Sequence, residues 1–341
     1  MSARNATGMP RRSSLALVAL WAVLVAPPGA FAGSSAGARA PAERPITIVT
    51  LRAGVPPAFA LAPPGATCDP IPATVTKNRI DEAKVLAQLS VPGVQRVIVL
   101  VTGFATSPRL GLRVARRIAH DLGPSVAILQ IDWGSAGKLV AYEADVRTAR
   151  KNAPAVAAFL SRLHVAAPNR ELDVFAHSLG TRIVAMTMAT IPNAADRRAV
   201  VQRAVFAAPD MTIPDYQKAI ARNPEPFSHV TLYVSGKDRA LLLSDVIHLH
   251  ARLGRVLTWR KALARTDVVD ATVASSGAAG HGYAIGNDAL VRDIGQTLAG
   301  APVPHPLWKK KKATSPVWIY TPTAAANRPG DPGTCATPLV R

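Results

Sequence analysis

The sequence LDVFAHSLGTRIVAM, at positions 172–186, joins two local patterns around one serine. Its first residues, 172–175, form a largely apolar run that favours a β-strand, and its last residues, 183–186, favour a helix. Between them lies AHSLG, with Ser178 at its centre. A strand that turns sharply into a helix, with a serine at the apex, is typical of a nucleophile elbow.

The turn of such an elbow is so tight that the residues two before and two after the serine must be small. Ala176 and Gly180 meet this requirement, although Ala176 stands where glycine is commoner. The segment GSSAG at 33–37 matches G-x-S-x-G literally, but no strand precedes it and no helix-favouring segment follows it. The context therefore favours Ser178 as a nucleophile, with an ordinary turn serine as the alternative.

The composition is that of a globular protein with a basic surface. Of the 341 residues, 49% are hydrophobic, which is enough for a substantial core, and the formal net charge is +19. No zinc-finger spacing or RRM signature accompanies this charge, so we expect no nucleic-acid partner. Two interpretations remain: a solvated basic surface, and a weak contact of the lysine run 309–312 with an anionic envelope surface.

Residues 1–32 have the organisation of a cleavable export signal. Its basic residues are Arg4, Arg11 and Arg12, and its apolar core covers residues 15–26. The sequence AFA at 30–32 forms a small-x-small cleavage site. The apolar core is too short for a comfortable membrane span. We therefore expect a periplasmic or secreted protein after cleavage near Ala32, by either the Sec or the twin-arginine route.

The chain has two cysteines, Cys68 and Cys335, and both lie in segments rich in proline and glycine. In an exported protein an even pair favours a disulfide. Such a bond would tie the N-terminal extension to the C-terminal tail, and the loop-closure entropy for so long a loop is worth roughly 5 kcal/mol. These segments offer too few further ligands for a metal site.

From Arg96 onwards, short apolar runs alternate with helix-favouring segments. We predict strands at 46–51, 97–101, 126–131, 172–177, 199–207, 229–234 and 268–271. We predict helices at 79–89, 110–122, 138–163 with an interruption near Pro154, 240–252 and 287–298. This alternation predicts an α/β fold with a mostly parallel, doubly wound sheet and helices on both faces.

These patterns divide the chain into four parts. They are the export signal at 1–32, an N-terminal extension at 33–95, the α/β domain at 96–300 and a basic, proline-rich tail at 301–341. We expect the extension to be partly disordered, with one short strand followed by a proline-rich connection, and the tail to pack on or near the domain. Only residues 211–228 are available for a lid between two predicted strands, so the cap is small or missing.

A serine nucleophile needs a histidine that takes its proton and a carboxylate that orients the histidine. In a wound sheet these residues follow in the order Ser, Asp, His, each after a strand. Asp238 and His281 follow the last two predicted strands of the domain, which makes them the triad partners of Ser178. Asp210, after the preceding strand, is the alternative acid.

An oxyanion hole needs two backbone N–H groups. The elbow supplies that of Leu179, and the loop after the first core strand supplies that of Phe104, where Gly103 allows a close approach to the substrate. Three further side chains are predicted from their positions to line an acyl pocket: Trp133, Met211 and Tyr283.

Six motifs along residues 96–297 resemble the bacterial domain-of-unknown-function 900 branch of the α/β-hydrolase superfamily. They are VTGFAT (101–106), DWGSAG (132–137), AHSLG (176–180), AAPD (207–210), YVSGKDRAL (233–241) and GHGY (280–283). The resemblance implies an esterase-type serine hydrolase with Ser178, Asp238 and His281 as its triad.

The sequence departs from the pattern of this family at two positions. Thr102 replaces the usual histidine before the loop glycine, and Thr181 replaces the usual asparagine after the elbow glycine. Because the oxyanion donor is a backbone N–H, we expect Thr102 to alter the support of the loop rather than to abolish activity.

Together these features predict an exported serine hydrolase that cleaves a carboxylic ester through an acyl-Ser178 intermediate. The expected substrate is a small-molecule or lipid-like ester, and this chemistry requires no metal or cofactor. Two alternatives remain open: a catalytically silent binding or scaffold protein at the cell envelope, and an acyltransferase with the same triad.

Overall fold

The computed structural model describes residues 44–62, 79–104, 106–136, 141–191, 199–222, 227–255, 263, 265–276, 279–303, 305–310, 312 and 315–322. The predicted export signal, the GSSAG segment and both cysteines lie outside these residues. No helix within the described ranges is long and apolar enough to cross a membrane.

The strands of the described chain form one sheet of eleven members. They are β1 (Ile46–Arg52), β2 (Val55–Ala62), β3 (Arg79–Ile80), β4 (Arg96–Val101), β5 (Val126–Asp132), β6 (Glu171–His177), β7 (Val201–Ala207), β8 (Phe227–Val234), β9 (Thr266–Asp270), β10 (Trp308–Lys310) and β11 (Val317–Tyr320). The α-helices are α1 (Glu82–Leu89), α2 (Pro108–Leu122), α3 (Tyr142–Ala166), α4 (Leu179–Met188), α5 (Ile213–Arg222), α6 (Arg239–His248), α7 (Tyr283–Gly286) and α8 (Asp288–Leu298).

The strand order across the sheet is β10-β11-β9-β8-β7-β6-β4-β5-β1-β2-β3. All neighbours from β11 to β1 are parallel, and antiparallel pairs occur only at the two ends of the described sheet. The prediction of a mostly parallel α/β sheet is therefore confirmed. β1 lies in the part of the chain assigned above to the extension, and β11 lies in the part assigned to the tail. They pair directly with β5 and β9.

Both faces of the sheet are covered, and the central strand β4 shows how. Val97, Val99 and Val101 belong to one apolar cluster, and Ile98 and Leu100 belong to the cluster on the opposite face. The first cluster includes residues of α3 and α4, and the second includes residues of α2 and α8. Burial on both faces explains why this strand is one continuous apolar run.

The proline-rich connection predicted after β1 is wrong, because residues 55–62 form β2 and pair antiparallel with β1. A proline cannot donate a ladder hydrogen bond, so prolines in a sheet are confined to unpaired edges. β3 pairs only with Phe59 and Ala60 of β2. Pro56 and Pro57 therefore lie where β2 has no outer neighbour among the described strands.

The interruption predicted near Pro154 is also wrong, because α3 continues through this residue to Ala166. A proline inside a helix removes one hydrogen bond and costs about 3 kcal/mol. The buried face of α3, which includes Val156, Phe159 and Leu160, packs into the core and offsets this cost.

A buried carboxylate joins the C-terminal strands to the rest of the sheet. Asp293 of α8 accepts hydrogen bonds from the Tyr233 hydroxyl at 2.7 Å and from Trp308 Nε1 at 2.9 Å. His305 Nδ1 lies 2.7 Å from its second oxygen. Tyr233 belongs to β8 and Trp308 to β10, so Asp293 connects the tail to the domain core.

We predict that Asp293→Ala lowers the free energy of unfolding by about 3 to 5 kcal/mol, because it leaves the buried partners of a charged group unsatisfied. Urea denaturation followed by circular dichroism measures this change. Glu82→Ala removes an exposed ion pair with Arg162 and serves as the control, with an expected loss of about 1 kcal/mol or less. Equal losses in the two variants would contradict the role assigned to Asp293.

Candidate active site

Ser178 lies at the junction of β6 and α4, in a backbone conformation that non-glycine residues rarely adopt. Its φ is 51° and its ψ is −124°. Such a conformation costs about 1 to 3 kcal/mol and persists only where the surroundings hold it. The Ser178 N–H donates to the Ala207 carbonyl at 2.9 Å, and the Ser178 carbonyl accepts from the N–H and hydroxyl of Thr181 at 3.0 and 2.6 Å.

Two glycines allow the elbow to approach the end of β4. A Cβ atom on Gly180 would lie 2.5 Å from the Val101 carbonyl oxygen and 2.6 Å from that of Thr102. A Cβ atom on Gly103 would lie 2.7 Å from the Cβ of Ser178. Because both contacts would be steric clashes, the loop after β4 can pass beside the serine only with glycine at these two positions.

The structure brings Ser178, His281 and Asp238 into one hydrogen-bonded chain. His281 Nε2 lies 2.8 Å from the Ser178 hydroxyl oxygen, and His281 Nδ1 lies 2.7 Å from Asp238 Oδ2. Ser178 and Asp238 are buried, whereas the His281 side chain is 21% exposed. The second oxygen of Asp238 accepts the Leu241 N–H at the start of α6, which fixes the carboxylate.

The pKa of His281 is raised above the ordinary value for histidine. Burial lowers this pKa, but the hydrogen bond and the charge of Asp238 raise it more, and the charge of Asp210 adds to the rise. A histidine that holds a proton more strongly is better suited to take one from a serine hydroxyl.

Asp210, the alternative acid, lies at the same end of the sheet but does not contact His281. Its carboxylate accepts hydrogen bonds from Tyr142 at 2.5 Å and from Ser244 at 3.2 Å, and Arg252 Nε lies at 3.4 Å. Its backbone N–H donates to the Ser178 carbonyl at 3.3 Å. The structure therefore places Asp238 beside the histidine, and Asp210 in a buried network behind the elbow.

The backbone N–H groups of Phe104 and Leu179 have no hydrogen-bond partner within the described part of the chain. A hydrogen bond from Trp133 Nε1 to the Thr102 carbonyl, at 2.8 Å, fixes the loop that carries Phe104. Asn152 of α3 in turn donates to the Trp133 carbonyl at 2.7 Å. Two free N–H groups on a braced loop and a helix start can stabilise a negatively charged oxygen.

His177 also contacts the candidate site, although its place inside the elbow predicts only core packing. The His177 ring lies 5.2 Å from the His281 ring, centre to centre, and its Nε2 lies 3.4 Å from the His281 carbonyl oxygen. Burial and the nearby His281 lower the pKa of His177 to about 3. His177 is therefore neutral, and it packs against the His281 ring.

The three side chains predicted to line a pocket are all buried. Trp133 and Met211 belong to the apolar cluster on the α3 and α4 face of the sheet, and Met211 also borders a surface groove. Tyr283 belongs to the cluster on the opposite face and donates to the Tyr233 carbonyl at 2.9 Å. Their contact with a substrate stays a prediction.

The sheet order and the strand–turn–helix around Ser178 define an α/β-hydrolase fold. The chain belongs to the family described as "Alpha/beta hydrolase of unknown function (DUF900)", whose sequence profile matches residues 78–300. The protein is therefore an α/β hydrolase. A comparison with curated proteins finds no match.

Solved structures with a similar fold include two archaeal proteins. A protein described as a predicted CIB-like hydrolase from Thermoplasma acidophilum is 14% identical, with a TM-score of 0.40 over 75% of this chain and 99% of that chain. An esterase from Pyrobaculum calidifontis, in its monoclinic form, is 15% identical, with a TM-score of 0.39 over 76% of this chain and 86% of that chain.

We predict that Asp238→Asn lowers the pKa of His281, because the opposing effect of burial remains when the carboxylate charge is lost. Titration of the histidine ring signals by NMR measures this change. Asp267→Asn removes a carboxylate that lies 2.8 Å from His229 and should leave His281 unchanged. An unaltered His281 titration in Asp238→Asn would show that the carboxylate does not act on the histidine.

Proposed function

We propose that this protein is an exported serine esterase that cleaves a carboxylic ester through an acyl-Ser178 intermediate. One observation carries the proposal: the Ser178 hydroxyl, the His281 ring and the Asp238 carboxylate are consecutive hydrogen-bond partners, at 2.8 and 2.7 Å. A histidine that contacts a serine on one side and a carboxylate on the other is the arrangement that acyl transfer through serine requires.

In the first half of the reaction, the Ser178 hydroxyl oxygen attacks the ester carbonyl carbon while His281 Nε2 accepts the hydroxyl proton. Asp238 keeps the Nδ1 proton of His281 in place and stabilises the imidazolium that forms. The carbonyl oxygen becomes an oxyanion and accepts hydrogen bonds from the N–H groups of Phe104 and Leu179. The C–O bond then breaks, and the alcohol leaves with the proton from His281.

In the second half, water takes the place of the alcohol. His281 accepts one proton from the water as its oxygen attacks the carbonyl carbon of the acyl-enzyme. The second tetrahedral intermediate collapses, the carboxylic acid departs, and Ser178 regains its proton from His281. Nothing in this sequence of steps consumes a cofactor.

The proposed location is the periplasm or the outside of the cell, on the strength of the leader pattern at 1–32. A weak contact with anionic envelope material is proposed for the lysine run at the end of β10. In that region Lys310 Nζ lies 3.8 Å from the centre of the Trp318 ring, which presents a cation and an aromatic surface together.

Labelling with a fluorophosphonate probe tests the proposed nucleophile, because the probe reacts with an activated serine. We expect the folded protein to be labelled, and we expect Ser178→Ala and His281→Ala to lose the label. Ser161→Ala, a change of a helical serine that bonds only its own helix, should keep it. A folded wild-type protein that resists the probe would instead support the silent scaffold protein.

A further inference from the structure

A surface groove of about 380 Å³ lies between α3, α4 and α5. We call it the basic groove, because its walls carry four cations: Arg150, Arg182, Lys218 and Arg222. The apolar lining residues are Ala185, Met186, Ala189, Met211 and Ala219. A single acidic residue, Asp215, completes the lining.

The helical repeat explains how two helices present this surface. On α4 and its C-cap, the lining residues 182, 185, 186 and 189 follow a spacing of three and four. On α5 the lining residues 215, 218, 219 and 222 repeat the same spacing. Residues at this spacing lie on one face of a helix. Each helix therefore turns a face of small or apolar residues, edged by cations, towards the groove.

The charges of the basic groove are not balanced within the described part of the chain. Its four cations make no ion pair with the described residues, although Asp215 lies on the same helical face as Lys218 and Arg222. Lys218 and Arg222 are four residues apart, a spacing at which like charges repel each other. A ligand that carries negative charge would relieve this repulsion.

Arg182 is the most enclosed of the four cations. Its side chain is half-buried, and its Nε is shielded from solvent without a hydrogen-bond partner in the described ranges. The other three cations are exposed. A guanidinium nitrogen that is shielded from water and has no acceptor pays a desolvation cost without a compensating hydrogen bond. A carboxylate or phosphate oxygen bound in the groove would stabilise the guanidinium group.

Two residues that line the basic groove lie close in the chain to residues of the candidate active site. Arg182 follows Ser178 by four residues, which corresponds to a rise of about 6 Å along the axis of α4. Its charge acts on Tyr142, where it opposes the rise in pKa that burial and Asp210 cause. Met211, which also lines the groove, directly follows Asp210 in the chain.

We propose that the basic groove binds a negatively charged group of the ester substrate, a carboxylate or a phosphate, while the ester carbonyl lies at Ser178. The assignment of the ester rests on the proposed function, but the binding of an anion to the groove does not. The apolar lining accommodates the aliphatic segment that joins the two ends of such a substrate. The substrate class is thus an ester with an acidic group at a distance from the scissile bond.

Binding is measured first, on Ser178→Ala so that no turnover occurs. Calorimetric titration compares monomethyl adipate and hexyl phosphate, which carry an anionic group, with methyl hexanoate, which is neutral. We expect both anions to bind at least about tenfold more tightly than the neutral ester, and the tighter of the two identifies the preferred acidic group. Binding should weaken as salt is added.

Substitutions in the Ser178→Ala background then locate the binding site. Arg182→Gln should weaken the binding of the tighter anion about tenfold, and Asp215→Asn should strengthen it. Lys218→Gln provides the same test as Arg182→Gln if that variant does not fold. Arg113→Gln, which removes an exposed arginine of α2 outside the groove, should leave the affinity unchanged.

The kinetic test uses the otherwise unmodified protein and two p-nitrophenyl esters, the adipate monoester and the hexanoate. We expect kcat/KM to be higher for the adipate monoester, and we expect Arg182→Gln to lower the ratio of the two kcat/KM values about tenfold. Arg113→Gln should leave this ratio unchanged.

The outcomes separate the two proposals. Equal binding of anionic and neutral probes, or anion binding that Arg182→Gln and Lys218→Gln leave unchanged, would overturn the basic groove as a binding site. If Ser178 reacts with the fluorophosphonate while the neutral ester is preferred, the esterase stands and the groove fails. If anions bind in the groove and Ser178 does not react, the groove stands as an anion site and the esterase fails.

Discussion

The close approach of the elbow to the end of β4 is the constraint on which the site depends. Gly180 and Gly103 have no side chain, and this lets the start of α4 and the loop after β4 pack directly against each other and against Ser178. This contact holds the serine at a positive φ. Phe104 and Leu179, the predicted oxyanion donors, directly follow Gly103 and Ser178 in the chain. A side chain at either glycine would force these parts of the site away from one another.

The same end of the sheet holds two buried carboxylates whose surroundings give them different tasks. Asp238 begins a helix and keeps one oxygen free for His281. Asp210 is enclosed by Tyr142, Ser244 and Arg252, so its charge reaches His281 only through space. Tyr142 also packs against the Phe104 ring, edge to face at 5.4 Å, which couples this network to the loop that carries a predicted oxyanion donor.

The sequence was informative wherever a feature depends on chain order or on local pattern. The continuous apolar run of β4 revealed a strand buried on both faces, and the order of Ser178, Asp238 and His281 placed each residue on a loop at one end of the sheet. Features that depend on contacts between distant elements could not be predicted in this way. The network of Asp210 joins residues of α3, of α6 and of the segment after α6, and the basic groove lies between α3, α4 and α5. No sequence motif records either arrangement.

Two prolines or proline pairs lie inside regular elements where the sequence pattern predicted a break, for one physical reason. Proline disfavours regular structure through its missing N–H, but the cost of about 3 kcal/mol can be offset by burial of neighbouring apolar residues, as in α3, or avoided at an unpaired position, as in β2.

The most direct test of the whole account is mass spectrometry of the peptide that contains Ser178, after rapid acid quenching of a reaction with p-nitrophenyl butyrate. We expect a butyryl group on Ser178 in the wild-type protein and none in His281→Ala. Ester hydrolysis that proceeds while Ser178 is never acylated would contradict it.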